Sequence, residues 1–226
     1  MKNDEGVIVV GSLHYDIFLN ASHQPTKGEI VVGKNWFPKF GGKGGNQAIA
    51  ASLYGASTKI ISAVGDDDFG KFIINQLKIS KVNYDYVKIL QEEKTGMSVA
   101  ISDSEGEYGA VIVSGANLNI DLNVLDRSSI WNNSKILMIQ NEVNEEINIL
   151  ASKNARINGL KVCLNASPVK ELNSELIQNV DILIVNINEA EAISNKKINN
   201  IEDVKNISKI LNKKFKLVII TAGQDG

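Results

Sequence analysis

Six runs of strand length, at 7–10, 59–64, 136–139, 160–164, 182–185 and 217–220, are rich in Val and Ile and nearly continuous rather than alternating. A strand that is apolar at successive positions has two faces to bury, and a parallel sheet covered by helices on both sides buries both. Helical patterns separate most of these runs. The segment 46–54 is rich in Ala, 69–77 places Phe69, Ile73 and Leu77 at i, i+4 and i+8, and 143–158 and 201–211 follow the same period. Strand alternating with helix predicts right-handed βαβ units. The fold class is α/β, a doubly wound, mostly parallel sheet flanked by helices. A chain of 226 residues is long enough for one such core with a small appended sheet.

Two segments break the rhythm. Residues 17–40 and 95–113 carry short alternating stretches with turn signals at Lys27-Gly28 and Ser104-Glu105-Gly106. Such stretches predict antiparallel strands with one exposed face. Together they read as a small sheet inserted into a single α/β domain over residues 1–226, placed as a lid. The run 217–220 reads as a strand buried on both faces. The turn that follows it, Thr221-Ala222-Gly223-Gln224-Asp225-Gly226, should lead into more structure. The expectation is therefore an incomplete domain, truncated at its C-terminal side.

Charge and cysteine usage exclude several classes. A formal net charge of −2 lacks the basic excess that a nucleic-acid or membrane-surface partner favours. The single cysteine, Cys163, rules out an internal disulfide, sits in an apolar run as a packing residue, and suits a reducing cytoplasm. The N-terminal MKNDEG lacks the apolar core of a signal peptide, and no run approaches the ~20 apolar residues of a membrane span. A soluble, cytoplasmic protein is expected.

The strongest local feature is Phe40-Gly41-Gly42-Lys43-Gly44-Gly45-Asn46-Gln47-Ala48. Its glycines allow left-handed backbone and close approach to a ligand, and the helix that follows turns free N–H groups toward that ligand. The run is not a Walker A loop, because Gly44 rather than Ser or Thr follows Lys43, and it is not a dinucleotide fingerprint, because Gln47 holds the third glycine position. A flexible surface loop is the bland alternative.

These residues resemble the ribokinase-like (PfkB-type) carbohydrate kinases. The resemblance runs in order from Val7 to the end. Its anchors are Val10-Gly11-Ser12 with Asp16, the 41–47 run, Gly65-Asp66-Asp67 with Gly70, Thr95-Gly96, Ser114-Gly115-Ala116-Asn117, the 165–168 segment, and Asn186-x-x-Glu189. It implies ATP-dependent phosphorylation of the primary hydroxyl of a sugar, ribose or a related pentose. It also implies roles: Asp16 accepts from sugar hydroxyls, and Gly42, Lys43, Asn46, Glu142 and His14 line the acceptor site. Asn186, Thr221 and Gly223 belong to the nucleotide site, and Glu189 organises Mg2+ through water. Each acid has a plainer reading: Asp16 satisfying a turn, Glu142 in a solvated helix start, Glu189 opening the helix after Asn186.

His14 departs from the pattern, since the family usually has asparagine there, and this leaves room for another sugar or a nucleoside. Neither His14 nor His23 has the neighbours of a metal site. The family's G-A-G-D-type segment, which holds the general base, is not found in residues 1–226 and is expected beyond Gly226, with most of a K+ site. The 226 residues alone are accordingly expected to have little activity. A non-catalytic sugar-binding remnant is the alternative of a different class. Homodimerisation through the lid is implied by the resemblance only.

Overall fold

The computed structural model describes residues 6–103, 105, 106 and 108–225; residues 1–5, Ser104 of the expected turn, Glu107 and Gly226 lie outside them. Seven strands form one parallel sheet: β1 (Gly6–Val10), β4 (Thr58–Gly65), β5 (Asn83–Leu90), β8 (Ser134–Gln140), β9 (Lys161–Asn165), β10 (Ile182–Asn186) and β11 (Leu217–Thr221), in the order β11-β10-β9-β8-β1-β4-β5. The helices are α1 (Lys43–Leu53), α2 (Asp68–Ile79), the short α3 (Ser128–Trp131), α4 (Glu145–Ile157), α5 (Ser174–Asn179), α6 (Ile187–Ser194) and α7 (Ile201–Leu211).

The sheet separates two cores, which explains the continuous apolar runs. In β1, Val9 packs with Ala48 of α1 and Ile73 and Leu77 of α2, while Ile8 and Val10 pack with Leu137, Ile139 and, from α4, Ile147 and Ala151. Each fully buried side chain of this size contributes about 1.5–3 kcal/mol by leaving water. Cys163 is buried in β9, and burial pushes its thiol up to about 11, consistent with a packing role. No helix of the described residues is long and apolar enough to cross a membrane.

Three features differ from the sequence expectation. The strand 217–220 is not buried on both faces: β11 is the sheet edge, and Leu217 and Ile219 are 49% and 42% exposed. Apolar composition does not reveal whether a face is covered. Second, β5 was not expected; it is an edge strand interrupted by polar and charged residues. Third, the inserted sheet is mixed rather than antiparallel. It consists of β2 (His14–Asn20), β3 (Asn35–Gly41), β6 (Met97–Ser102) and β7 (Tyr108–Val113) in the order β3-β2-β6-β7, with antiparallel outer pairs and a parallel β2–β6 pair. Both hairpins leave the carboxyl-terminal ends of core strands, β2 after β1 and β6 after β5, so their first strands run outward together. The lid also begins at His14, which brings His14 and Asp16 to its root. There Tyr15 stacks on Phe69 with ring centroids 4.0 Å apart and meets Phe72 edge-on, fastening the lid to α2.

At the amino-terminal ends of β10 and β11, buried Asp181 accepts from Arg156 Nη1 and Lys216 Nζ, each at 2.7 Å, and from Val162 N at 3.0 Å. Burial opposes its ionisation, but the hydrogen bonds from Lys216, Val162 N and Arg156 hold the carboxyl below the ordinary 3.8. A depressed folded pKa means stabilisation that is present above the unfolded value and lost as pH falls through the folded one. Asp181→Asn should lower the unfolding free energy by about 2–3 kcal/mol near neutral pH. In urea melts its gap to the wild type should narrow below about pH 4.

Candidate active site

The site is built where β1 ends. Gly11-Ser12-Leu13 links β1 to the lid strand β2, and β3 returns antiparallel with Gly41 opposite His14. The next residue, Gly42, has φ 84°, and a Cβ there would fall 2.7 Å from Ser12 O and 2.8 Å from His14 N. Only glycine lets the two segments cross so closely. Helix α1 then starts at Lys43, earlier than its Ala-rich part suggested, and winds through Gly44 and Gly45.

The first turn of α1 is closed by groups from two strand ends. Gly45 N donates to Ser12 O at 2.9 Å, and Gly44 N to Ser12 Oγ at 3.4 Å. Ser12 Oγ donates to Glu142 Oε2 at 2.5 Å, Lys43 N donates to the same oxygen at 2.9 Å, and Lys43 Nζ lies 4.0 Å from Glu142 Oε1. Glu142 thus places a carboxylate from beyond β8 at the helix N-terminus, where the free N–H groups and dipole favour an anion. Asn117 ties the return from the lid to the same link: it accepts from Leu13 N at 2.8 Å and donates to Leu13 O at 2.9 Å and Ser114 O at 2.8 Å. Asp16 pairs across the lid with Ser98, whose hydroxyl donates to Asp16 Oδ1 at 2.6 Å.

A cavity of about 350 Å³ lies between these elements, lined by His14, Lys43, Ser114, Asn141, Glu142 and Lys170 together with apolar residues including Ile112 of the lid. Asn141 is held by its N–H to Ser167 O and its Nδ2 to Pro168 O, both at 3.0 Å. The polar lining mixes carboxylate, ammonium, imidazole, amide and hydroxyl. Such a set both donates and accepts, which suits a small ligand rich in hydroxyls. Among the sequence-expected acceptor residues, His14, Lys43 and Glu142 meet at this cavity, Gly42 supports the link beneath it, and Asp16 lies two residues along β2. Asn46 is exposed on the first turn of α1 and does not line the cavity.

The second expected group lies at the ends of β10 and β11. Asn186 and Glu189 form a capping box at the start of α6: Glu189 N donates to Asn186 Oδ1 and Asn186 N to Glu189 Oε2, each at 2.9 Å. Thr221 stands opposite Asn186 in the β10–β11 register, and Gly223, at φ 61°, opens a short 3-10 turn. None of the four lines that cavity. Among the described residues no three of His, Cys, Asp and Glu converge on a point that could hold a metal. One buried carboxylate with an amide beside it fits a hard cation held mainly through water and phosphate oxygens, and does not fit a protein cage. Both groups open at the carboxyl ends of parallel strands, where ligands of open α/β sheets bind.

The sequence model of the pfkB family carbohydrate kinases matches residues 4–226. The chain belongs to that family. It is 31% identical over 223 residues to a ribokinase of Staphylococcus aureus (strain COL), covering 97% of this chain and 73% of that protein. It is 32% identical over 220 residues to a ribokinase of Haemophilus influenzae, covering 96% of this chain and 72% of that one. The fold is similar to that of an Arabidopsis thaliana ribokinase complexed with ribose and ATP, with a TM-score of 0.87, 28% identity, and coverage of 98% of this chain and 73% of the other. The parallel sheet with its helices is the ribokinase-like architecture.

Several residues of this family member's site were not assigned roles from sequence. Ser98 and Asn141 carry no motif of their own, and Lys170 looks like any surface lysine. Ser12 and Asn117 stood among the anchors without a role. For Ser98 the signal was the alternation of β6, which becomes informative only once its register with β2 is known.

Proposed function

We propose that this chain binds a pentose, ribose or a close relative, as the acceptor whose primary hydroxyl is phosphorylated at the expense of ATP. The observation that carries this reading is the convergence of His14, Lys43 and Glu142 on one cavity at the carboxyl end of the parallel sheet, beside Asp16 and under the lid. Asp16 and Glu142 accept from acceptor hydroxyls, Lys43 donates to them, Gly42 supports the link beneath the cavity, and Asn46 would reach the acceptor only if its side chain turned in from the first turn of α1. Asn186, Thr221 and Gly223 hold the nucleotide, and Glu189 holds Mg2+ through water; Mg2+ supplies charge neutralisation on the phosphates. A monovalent cation such as K+ is part of the same reading, with no ligands assigned among the described residues.

The acceptor hydroxyl attacks the γ-phosphate in line while the lid keeps water out, so that positioning carries much of the rate. The carboxylates at the cavity are engaged in holding it, Glu142 by Ser12 and Lys43 N, and Asp16 by Ser98. We therefore assign proton removal to neither of these carboxylates, and expect residues 1–226 to bind acceptor with little turnover. A homodimer through the lid is supported by the exposure of Trp36, Phe37, Val111, Ile112 and Val113. A reducing cytoplasm is supported by the single buried Cys163.

His14, where the family usually has asparagine, favours a second acceptor class, a nucleoside. A coupled ATP assay and calorimetry over pentoses, hexoses and nucleosides test the reading. Pentose binding without turnover is expected of residues 1–226. Turnover by these residues alone at ordinary kinase rates, ~1–100 per second, contradicts that expectation, and failure of every acceptor to bind contradicts the site.

A further inference from the structure

His14 lines the acceptor cavity and is 3% exposed, yet its Nε2 has no hydrogen-bond partner among the described residues. Leaving a polar atom unpaired at that depth costs about 1–3 kcal/mol, so a ligand that supplies the partner recovers part of that cost. The ring is packed closely on one side. It lies against Gly96, where a Cβ would come within 2.6 Å of His14 Cδ2, and its backbone is held between Asn117 on Leu13 and the Tyr15 N–H donated to Gly96 O at 2.9 Å.

Charged side chains line this cavity from three bordering segments, Lys43 opening α1, Glu142 after β8 and Lys170 after β9, and Asp16 on β2 lies near enough to act on the imidazole, whereas β7 and residues 114–118 contribute only the uncharged Ile112, Ser114 and Leu118. Burial pushes the imidazole below its ordinary 6.5. Glu142 and then Asp16 pull it up, and Lys43 pushes it down again, leaving the net value lowered and the ring neutral near pH 7.

We propose that neutral His14 completes its hydrogen bonding with an acceptor hydroxyl, and that acceptor affinity is thereby linked to one proton, weakening as His14 becomes charged. The proposal rests on the cavity being the acceptor site. A neutral imidazole can donate to one hydroxyl oxygen and accept from another hydroxyl, whereas imidazolium can only donate. An acceptor filling the cavity also displaces the water that would solvate the charged ring, so the complex holds the proton less tightly than the free protein. The sign follows: binding releases a proton at acid pH, and affinity falls as pH drops below the imidazole value.

The test is calorimetry on the full chain between about pH 5 and 8 with D-ribose, D-arabinose and adenosine as probes, using wild type, His14→Asn, His14→Gln and Asp16→Asn. Buffers of different ionisation heat count the protons released. For the probe that binds most tightly, the wild-type Kd should rise severalfold from pH 7.5 to pH 5, as protonation of His14 competes with acceptor binding. The profile of whichever of His14→Asn and His14→Gln keeps the wild-type melting curve should stay flat within about twofold, since the amides do not titrate. The carboxylates and lysines are common to those proteins, so their contribution cancels. A flat wild-type profile, or the same slope in the amide variants, overturns the role of His14 even if Asp16→Asn abolishes binding and so upholds the site. Undiminished binding by Asp16→Asn instead overturns the acceptor-site reading. Absence of binding by all three probes overturns both.

Discussion

Gly42→Ala should lower the unfolding free energy by about 3 kcal/mol or more, combining the left-handed backbone cost of about 1–2 kcal/mol with overpacking of about 1–3 kcal/mol. The overpacking arises because the new Cβ would lie under 3.0 Å from Ser12 O, His14 N and Leu13 Cα, none of which is the end of a flexible side chain. Gly55 provides the control: its φ is 92° but nothing lies within 4 Å of its Cβ position. Gly55→Ala should therefore cost only the backbone part, about 1–2 kcal/mol. Urea unfolding of both variants separates the two contributions. Equal losses would mean that the crossing of residues 12–14 by the glycine run is not as tight as described. Because that crossing carries His14 and Lys43, any folded Gly42→Ala protein should also bind acceptor more weakly.

The second large effect falls on binding rather than stability. Asp16→Ala should weaken acceptor binding by about a hundredfold, the equivalent of roughly 3 kcal/mol, because an ionised carboxylate makes charge-assisted hydrogen bonds of about 1.5–3 kcal/mol each to the hydroxyls it accepts from. Its structural cost should be small, since the only hydrogen bond described for its side chain is the one from Ser98. Ser98→Ala should weaken binding by less than tenfold, acting through the orientation of Asp16. Calorimetric titration with D-ribose checks the pair. Comparable losses in the two variants would reverse their roles, making Ser98 the residue that meets the acceptor.

Much of the fold was legible because burial on two faces leaves a plain mark. The core strands were readable as continuous Val and Ile runs because Val9 and Val10, one residue apart, serve different cores. The inserted sheet was readable as a departure from that pattern, but its pairing was not: alternation specifies which face is covered and says nothing about whether the neighbouring strand runs parallel. At β11, Leu217 and Ile219 read as core residues because their chemistry is the same whether or not a neighbour covers them.

The site divides in the same way. Lys43 and Glu142 were identifiable from motif and position, and the structure brings them to one cavity from 99 residues apart. Ser98 meets Asp16 across 82 residues through a parallel register that no local pattern encodes. Glu189 had two readings, and the capping box realises the local one while leaving it at the strand ends where the other also needs it. His14 is the sharpest case. Its departure from the family pattern was visible in the sequence, whereas its burial with an unpartnered Nε2 is a property of the packed site.

On this reading, the cavity bordered by His14, Lys43 and Glu142 beside Asp16 holds the acceptor. A crystal structure of the chain with bound D-ribose tests it most directly. The expected result is ring hydroxyls within about 3.2 Å of the Asp16 carboxylate and of the Lys43 and Glu142 side chains, beneath the lid. A sugar ordered elsewhere, such as at the ends of β10 and β11 beside Asn186 and Thr221, with this cavity holding only water, would contradict it.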